Sequence, residues 1–332
     1  MFIWNKMFFI IFCFIVVLCL FFVYFFPQYY VCELIISFLP YIVFFSLIVA
    51  CLLLLLFCKK EKKWILKYLY LVVSLLFFAN FFMYAFKYNS FYTWEWFLVS
   101  KTPKVWLDIL YSNILYKTKN YQELNDWILE NDADLVLMVE FTDDFGKNMS
   151  EEMLQRYPYS ARVEYSDKYY GNVVFSKYPI KNLTQEIEWW TWRYSYFSLN
   201  YNDKDYYIYL VHTASPVSPF YYKMRNNQLQ ELAEDYLVNK SKMSENDRVL
   251  ILWDFNLSPW SIYYDKLVNS LDWLYDLTRE YTIVFTWAYR NFPLIASHID
   301  HIFVDDKSKI DSLVKLDTPK SDHRWFLINN FR

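Results

Sequence analysis

Two polar side chains close an apolar run in the stretch Leu250-Ile251-Leu252-Trp253-Asp254-Phe255-Asn256-Leu257-Ser258-Pro259. Val249 to Leu252 is apolar at every position, the pattern of a strand buried on both faces. Asp254 and Asn256 follow two residues apart, a spacing that turns both side chains to the same side of a sheet. A carboxylate and an amide so placed can hold a hard metal ion and orient a phosphate oxygen beside it. A strand end closed by an Asx turn accounts for the same residues, so the rest of the chain has to decide.

The same arrangement recurs. Asn113 follows Ile109-Leu110-Tyr111-Ser112, and Glu140 follows the apolar run from Leu135 to Val139. His212 follows Tyr209-Leu210-Val211, Asp300 opens Ile302-Phe303-Val304, and Asp322-His323 precedes Trp325-Phe326-Leu327. Any one of these reads as a cap or a loop residue. Acidic, amide and imidazole groups at the ends of several strands in one domain point to a site, because layered folds build sites on loops at strand ends. His298 and His301 have weaker claims.

The elements that must position these groups lie after about Pro103. Strands are expected at Val105 to Tyr111, Leu135 to Val139, Tyr170 to Ser176, Arg193 to Tyr201, Tyr206 to Val211, Val249 to Leu252, Ile299 to Val304 and Trp325 to Ile328. Helices are expected at Asn120 to Glu130 and at Pro219 to Asn239, the second with a proline near its start. Strands mixed with helices indicate a layered α/β domain over 103–332.

The first hundred residues differ. Apolar runs at about 7–26, 35–57 and 64–86 each reach the roughly 20 residues that a span needs, and predict three transmembrane helices in a membrane anchor over 1–87. Lys59, Lys60, Lys62 and Lys63 crowd the second connection, and Lys6 precedes the first run. That asymmetry places these ends in the cytoplasm and the α/β domain outside, on a multi-pass protein of the plasma (inner) membrane. The linker over 88–102 interleaves Tyr92, Trp94 and Trp96 with polar residues, as an interfacial belt does.

Composition removes several classes. The chain has 332 residues and only two glycines, Gly146 and Gly171, so it has no glycine-rich phosphate loop. All five cysteines precede residue 60, which excludes a cysteine-ligated zinc site in the α/β domain. Of 33 Lys+Arg, 8 lie before residue 103, and of 36 Asp+Glu, 3 do, leaving the domain at about −8. That balance disfavours avid non-specific binding to a polyanion.

The order of the motifs resembles the endonuclease/exonuclease/phosphatase family of metal-dependent phosphoesterases. Ser112-Asn113-Ile114-Leu115 is similar to its first Asn motif, and Asp134-Leu-Val-Leu-Met-Val-Glu140 to its D-x-V-x-x-x-E strand. Tyr157-Pro158-Tyr159 and Gly171 to Ile180 resemble two further segments. Val211-His212 looks like its His motif, Asp254-Phe255-Asn256 its DFN motif, and Ile299-Asp300-His301 and Ser321-Asp322-His323 its last two. Trp253 departs from the pattern, which has glycine there.

The resemblance implies a four-layer sandwich of two packed β-sheets flanked by helices. It implies Glu140 as ligand to Mg2+ or Mn2+, with Asn113 and Asp322 beside it, and Asp254 and Asn256 positioning water and phosphate. It implies His323, oriented by Asp300, in acid–base work or as a cationic clamp, and His212 at a phosphoryl oxygen or the leaving group. The expected function is hydrolysis of a phosphodiester at the lipid bilayer, a lipid head group or small phosphoester. A tethered nuclease acting on DNA or RNA, with nucleic acid not favoured, and a non-catalytic binding module are the alternatives.

Overall fold

The computed structural model describes residues 2–58, 64–87, 105–164, 171–183, 194–271, 274–280, 285–292, 295–316 and 321–332. The expected linker over 88–102 and the lysine-rich connection lie outside them. The chain divides into two compact units. One comprises Met1–Trp94 and Trp260–Ile262, the other Glu95–Pro259 and Tyr263–Arg332.

The first unit holds α1 (Phe2–Phe25), α2 (Tyr30–Ile36), α3 (Leu39–Cys58) and α4 (Trp64–Lys87). Two helices among the described residues, not three, are long and apolar enough to cross a membrane, over Met7–Phe25 and Leu39–Leu56. In α4 the apolar stretch among the described side chains is Lys67–Met83. The second apolar run is also trimmed, since the chain turns at Ser37 between α2 and α3. Polar groups join α3 to α4. The Ser74 hydroxyl donates to the Ala50 carbonyl at 2.7 Å, and Ser46 to the Asn80 side-chain oxygen at 3.4 Å. Such bonds fix helix pairs where the surroundings are apolar.

The second unit begins β1 (Leu107–Asn113), α5 (Tyr121–Asn131), β2 (Leu135–Phe141), α6 (Asp143–Lys147), α7 (Glu151–Arg156), β3 (Tyr159–Glu164) and β4 (Gly171–Ser176). It continues with β5 (Ile180–Asn182), β6 (Tyr194–Tyr201), β7 (Lys204–His212), α8 (Pro219–Lys240), β8 (Arg248–Asp254) and α9 (Ile262–Ser270). It closes with β9 (Tyr275–Asp276), α10 (Leu277–Glu280), β10 (Trp287–Ala288), β11 (Ala296–Ser297), β12 (Asp300–Val304), β13 (Ser312–Leu316) and β14 (Trp325–Phe331). Every strand and helix expected from the sequence is present within a few residues. The short strands β3, β5, β9, β10, β11 and β13, and the helices α6, α7, α9 and α10, carry too few periodic positions to declare themselves.

Two six-stranded sheets form, in the orders β13-β14-β1-β2-β4-β3 and β5-β6-β7-β8-β12-β9, with β10-β11 as a separate hairpin. Their inner faces share one core, in which Ile109, Leu137, Ile328 and Phe326 meet Leu210, Leu252 and Ile302. Leu124, Ile128, Phe145 and Met153 cover the outer face of the first sheet. Leu229, Leu232, Tyr236, Tyr264 and Leu267 cover that of the second. The result is the expected four-layer sandwich: helix, sheet, sheet, helix.

Strand direction does the positioning. β1 and β2 are parallel, as are β7 and β8, and each pair is joined through a long helix, α5 or α8. A parallel pair ends both strands at one edge, so Asn113 and Glu140 emerge together, as do His212 and Asp254. β12 runs antiparallel to β8 with Asp300 opposite Asp254, and β14 antiparallel to β1. These strands therefore begin where the parallel pairs finish, which brings Asp300 and Asp322-His323 to the same edge.

A buried polar cluster holds this edge from behind. The Asp276 carboxylate accepts from the Tyr264 hydroxyl at 2.6 Å, His301 Nδ1 at 2.7 Å, and the Thr278 amide and hydroxyl at 2.9 and 2.7 Å. His301 also donates from Nε2 to the Leu257 carbonyl at 2.9 Å, one residue past Asn256. His298 stacks on His301 with ring centroids 4.6 Å apart. Burial, and then the charge of His301, holds His298 well below its ordinary range. Burial opposes the charge of Asp276, but His301, charge and bond together, outweighs it and holds the carboxyl below the usual carboxylate range. A depressed carboxyl stabilises the fold above its unfolded pKa of about 3.9, and that contribution fades as pH falls through the folded value. Asp276→Asn should therefore lower stability by about 3 kcal/mol at pH 7, as when one partner of a buried pair is removed. The gap from the parent should shrink progressively below about pH 4. Urea unfolding of the detergent-solubilised chain at pH 7, 5 and 3 measures both, and a gap that stays constant with pH would contradict the pairing.

Candidate active site

Glu140 owes its direction to a β-bulge. The register of β2 on β4 slips between Met138 and Phe141, and Glu140 has φ 59°. Bulges bend a strand and re-aim a side chain. Its Oε2 accepts the Tyr116 amide at 2.9 Å and its Oε1 the Asn113 side-chain amide at 3.0 Å. Burial raises the Glu140 carboxyl above its ordinary range, those two bonds and His323 oppose the rise, and Asp322 adds to it.

Asn113 is wholly buried and links the two sheets. Its Nδ2 lies 3.0 Å from Glu140 Oε1 and 3.0 Å from Asp254 Oδ2, while its Oδ1 accepts the Leu115 amide at 3.0 Å. The amide thus turns its nitrogen to two carboxylates and commits its oxygen to the backbone. The turn at Leu115, φ 57°, places that N–H against its oxygen, so the amide bridges the two carboxylates.

Asp254 and Asn256 do emerge together. The Asn256 amide donates to Asp254 Oδ1 at 3.0 Å, and Asn256 has φ 46°. Its Nδ2 donates to the Thr213 carbonyl at 3.2 Å, and its own carbonyl accepts from Arg225 Nη1 at 2.9 Å. The side chain of Trp253 lies outside the described residues; its backbone keeps a regular ladder with Val211 and His301. Burial raises the Asp254 carboxyl, His323 opposes that, and Asp300 and Glu140 reinforce it.

His323 Nδ1 sits 3.0 and 3.2 Å from the two oxygens of Asp300, and its Nε2 is 3.5 Å from Asp254 Oδ2. Burial works against a charge on His323, but Asp300 and Asp254 outweigh it and lift its pKa to about 10. The ring is an imidazolium at neutral pH. His212 points Nε2 at Glu140 Oε1 and Asp254 Oδ2 from 3.7 and 3.8 Å. Those gaps exceed a hydrogen bond and leave room for an atom between. Asp322 Oδ2 accepts the Trp287 indole N–H at 3.0 Å, and its Oδ1 is buried with no hydrogen-bond partner among the described residues.

The donor set suits a divalent cation. Ligand atoms of Glu140, His212 and Asp254 lie within 4.8 Å of one another, as do those of Asp254, Asp300 and His323. A buried carboxylate oxygen without a donor, among three further carboxylates, is relieved by a hard cation. All eight residues expected from the sequence come to this edge, while His298 and His301 stand behind it.

Several supports were not legible beforehand. The Tyr111 hydroxyl donates to Asp300 at 3.3 Å, and the Thr286 hydroxyl accepts the Asp300 amide at 2.9 Å. Ser321 donates to the Asn113 carbonyl at 2.8 Å and accepts the His323 amide at 3.1 Å. Gln228 accepts the Ala214 amide at 2.8 Å, just past His212. Arg225 and Gln228, three apart on the buried face of α8, did leave a signal: a cation and an amide among apolar helix positions.

Comparison with known proteins agrees with this geometry. The description "Endonuclease/Exonuclease/phosphatase family" matches residues 110–323. No curated protein matches the chain. A truncated Caenorhabditis elegans TDP2 is similar in structure, with TM-score 0.53 and 13% identity over 68% of this chain and 98% of that one. The beta toxin 275-280 of Staphylococcus aureus gives 0.51 and 18%, over 68% and 99%. An endonuclease/exonuclease/phosphatase from Bacteroides vulgatus gives 0.50 and 17%, over 67% and 97%. At these identities the likenesses show the fold, and the match over residues 110–323 shows the family: this chain belongs to the endonuclease/exonuclease/phosphatase family, hydrolases that act on phosphate esters.

Proposed function

We propose that the chain is a membrane-anchored, divalent-metal-dependent phosphoesterase that hydrolyses a phosphodiester, a lipid head group or small phosphoester, on the extracytoplasmic side. Residues 1–87 form the anchor and 103–332 the catalytic domain. The observation that carries this reading is the convergence of four carboxylates and two histidines on one edge, with an Asp322 oxygen left without a donor among the described residues. Two helices able to cross a membrane support the anchor, and the lysine asymmetry supports the sidedness.

Glu140 and Asp322 would hold Mg2+ or Mn2+, which would supply charge that stabilises the phosphoryl oxygens. Asp254 takes the proton of the attacking water; its raised carboxyl suits a base working near neutral pH. The backbone bond from Asn256 fixes that carboxylate, and the Asn256 amide orients the phosphate. His323, held by Asp300, is a standing cation against the phosphate's negative charge. His212 donates from Nε2 to a phosphoryl oxygen or the leaving group. Asn113 keeps Glu140 and Asp254 apart and aligned.

The test is turnover by the detergent-solubilised chain with Mg2+ or Mn2+, on head-group phosphodiesters, phosphomonoesters, DNA and RNA. Asp254→Ala and His323→Ala should each reduce kcat by about 10²–10⁴-fold. Glu140→Gln should weaken Mn2+ binding by at least about tenfold, read by calorimetry. Turnover that survives both alanine changes would sink the site assignment. Preference for DNA or RNA would turn the reading to a tethered nuclease, and a folded chain that neither binds metal nor turns over would be a binding module. Protease added outside sealed right-side-out vesicles should digest the catalytic domain; full protection would reverse the sidedness.

A further inference from the structure

Two loops leave the active-site edge and carry its exposed apolar residues. The first runs from His212 into α8. Thr213 is tied to Asp254 by a 3.3 Å backbone bond, Ala214 to Gln228, and four residues later Ser218 caps α8. On it Val217 is 72% and Phe220 65% exposed, and Tyr221 packs edge-on against Phe220. The second is the β10-β11 hairpin. Its base is bound to the site, since the Ala288 amide donates to the Asp322 carbonyl at 2.8 Å and Trp287 bridges His323. Its outer part exposes Tyr289, Phe292 and Ile295.

These six are half of the twelve exposed large apolar residues among the described residues of the second unit, and the other six are scattered. Scattered apolar residues need no explanation, whereas a concentration at the mouth of a site does. Cations accompany them. Arg290 is exposed with its guanidinium 5.3 Å over the Tyr289 ring, and Lys223 is exposed one turn past Phe220. Apolar and aromatic tips with adjacent cations suit the boundary between acyl chains and phosphate head groups. A polyanion groove would need a basic tract instead.

We infer that these two loops are an interfacial rim that meets a phospholipid surface and delivers its phosphoesters to the site. The occupant follows from the chain itself: the same polypeptide carries two helices able to span a bilayer, and 19 residues separate Lys87 from Leu107. A linker of that length reaches at most about 70 Å, so lipid is present at high effective concentration. The inference rests on the proposed function for its substrate and on the rim alone for its contact.

The test uses the full chain in nanodiscs of phosphatidylcholine and phosphatidylglycerol. The double variant Phe220→Ser/Phe292→Ser should lose about tenfold in turnover of bilayer phospholipid, while turnover of water-soluble bis(p-nitrophenyl) phosphate stays unchanged. Independently of catalysis, a photo-crosslinking benzoylphenylalanine at position 220 or 292 should capture lipid, and one at Tyr159, on β3 of the other sheet, should not. Equal loss on both substrates, no loss on either, or capture of protein instead of lipid would overturn the rim. A parent chain inactive on both substrates would defeat the proposed function, and lipid capture would then decide the rim alone.

Discussion

Four carboxylates crowd one buried edge, and most of what is specific about the structure serves to keep them there. Isolated buried charge is costly, and like charges raise one another's pKa. The compensation is spread over both sheets. Asn113 donates to Glu140 and Asp254 at once, Tyr116 and Asn256 add backbone N–H groups, and Tyr111 and Trp287 donate to Asp300 and Asp322. His323 adds a full positive charge between Asp300 and Asp254. The donors come from segments of both sheets and from the β10-β11 hairpin, so the edge exists only once both sheets have closed on each other.

This division explains what could be read in the sequence. A polar residue at the end of an apolar run is a local signal, and Asn113, Glu140, His212, Asp254 and His323 all carried it. The buried strands and the two long crossing helices were legible for the same reason, since their periodicity is contained in one segment. The supports were not, because Tyr111, Thr286 and Ser321 look like ordinary core or loop residues until a distant strand presents a partner. Asn113 was legible by type, but its bonds to Glu140, Asp254 and the Leu115 amide were not, because their partners lie on separate segments.

The two clusters of polar side chains divide the work between chemistry and scaffold. Behind the edge, Asp276, Thr278 and His301 meet one another's donors and acceptors and hold the Leu257 carbonyl. At the edge, Asp322 keeps an oxygen without a donor among the described residues. Unsatisfied groups are tolerated where a ligand completes them. The contrast marks the edge as the side that waits for chemistry.

Leu115, Glu140 and Asn256 lie within this small region with φ of 57°, 59° and 46°. Left-handed backbone at residues other than glycine costs on the order of 1 kcal/mol or more each, least for asparagine. A chain with only two glycines carries three of the eight such positions among its described residues where its reactive side chains emerge. Glycine at any of the three would relax the backbone and erase the side chain or its aim. Selection for robustness alone, with no demand for turnover, would therefore act against the site at these three positions.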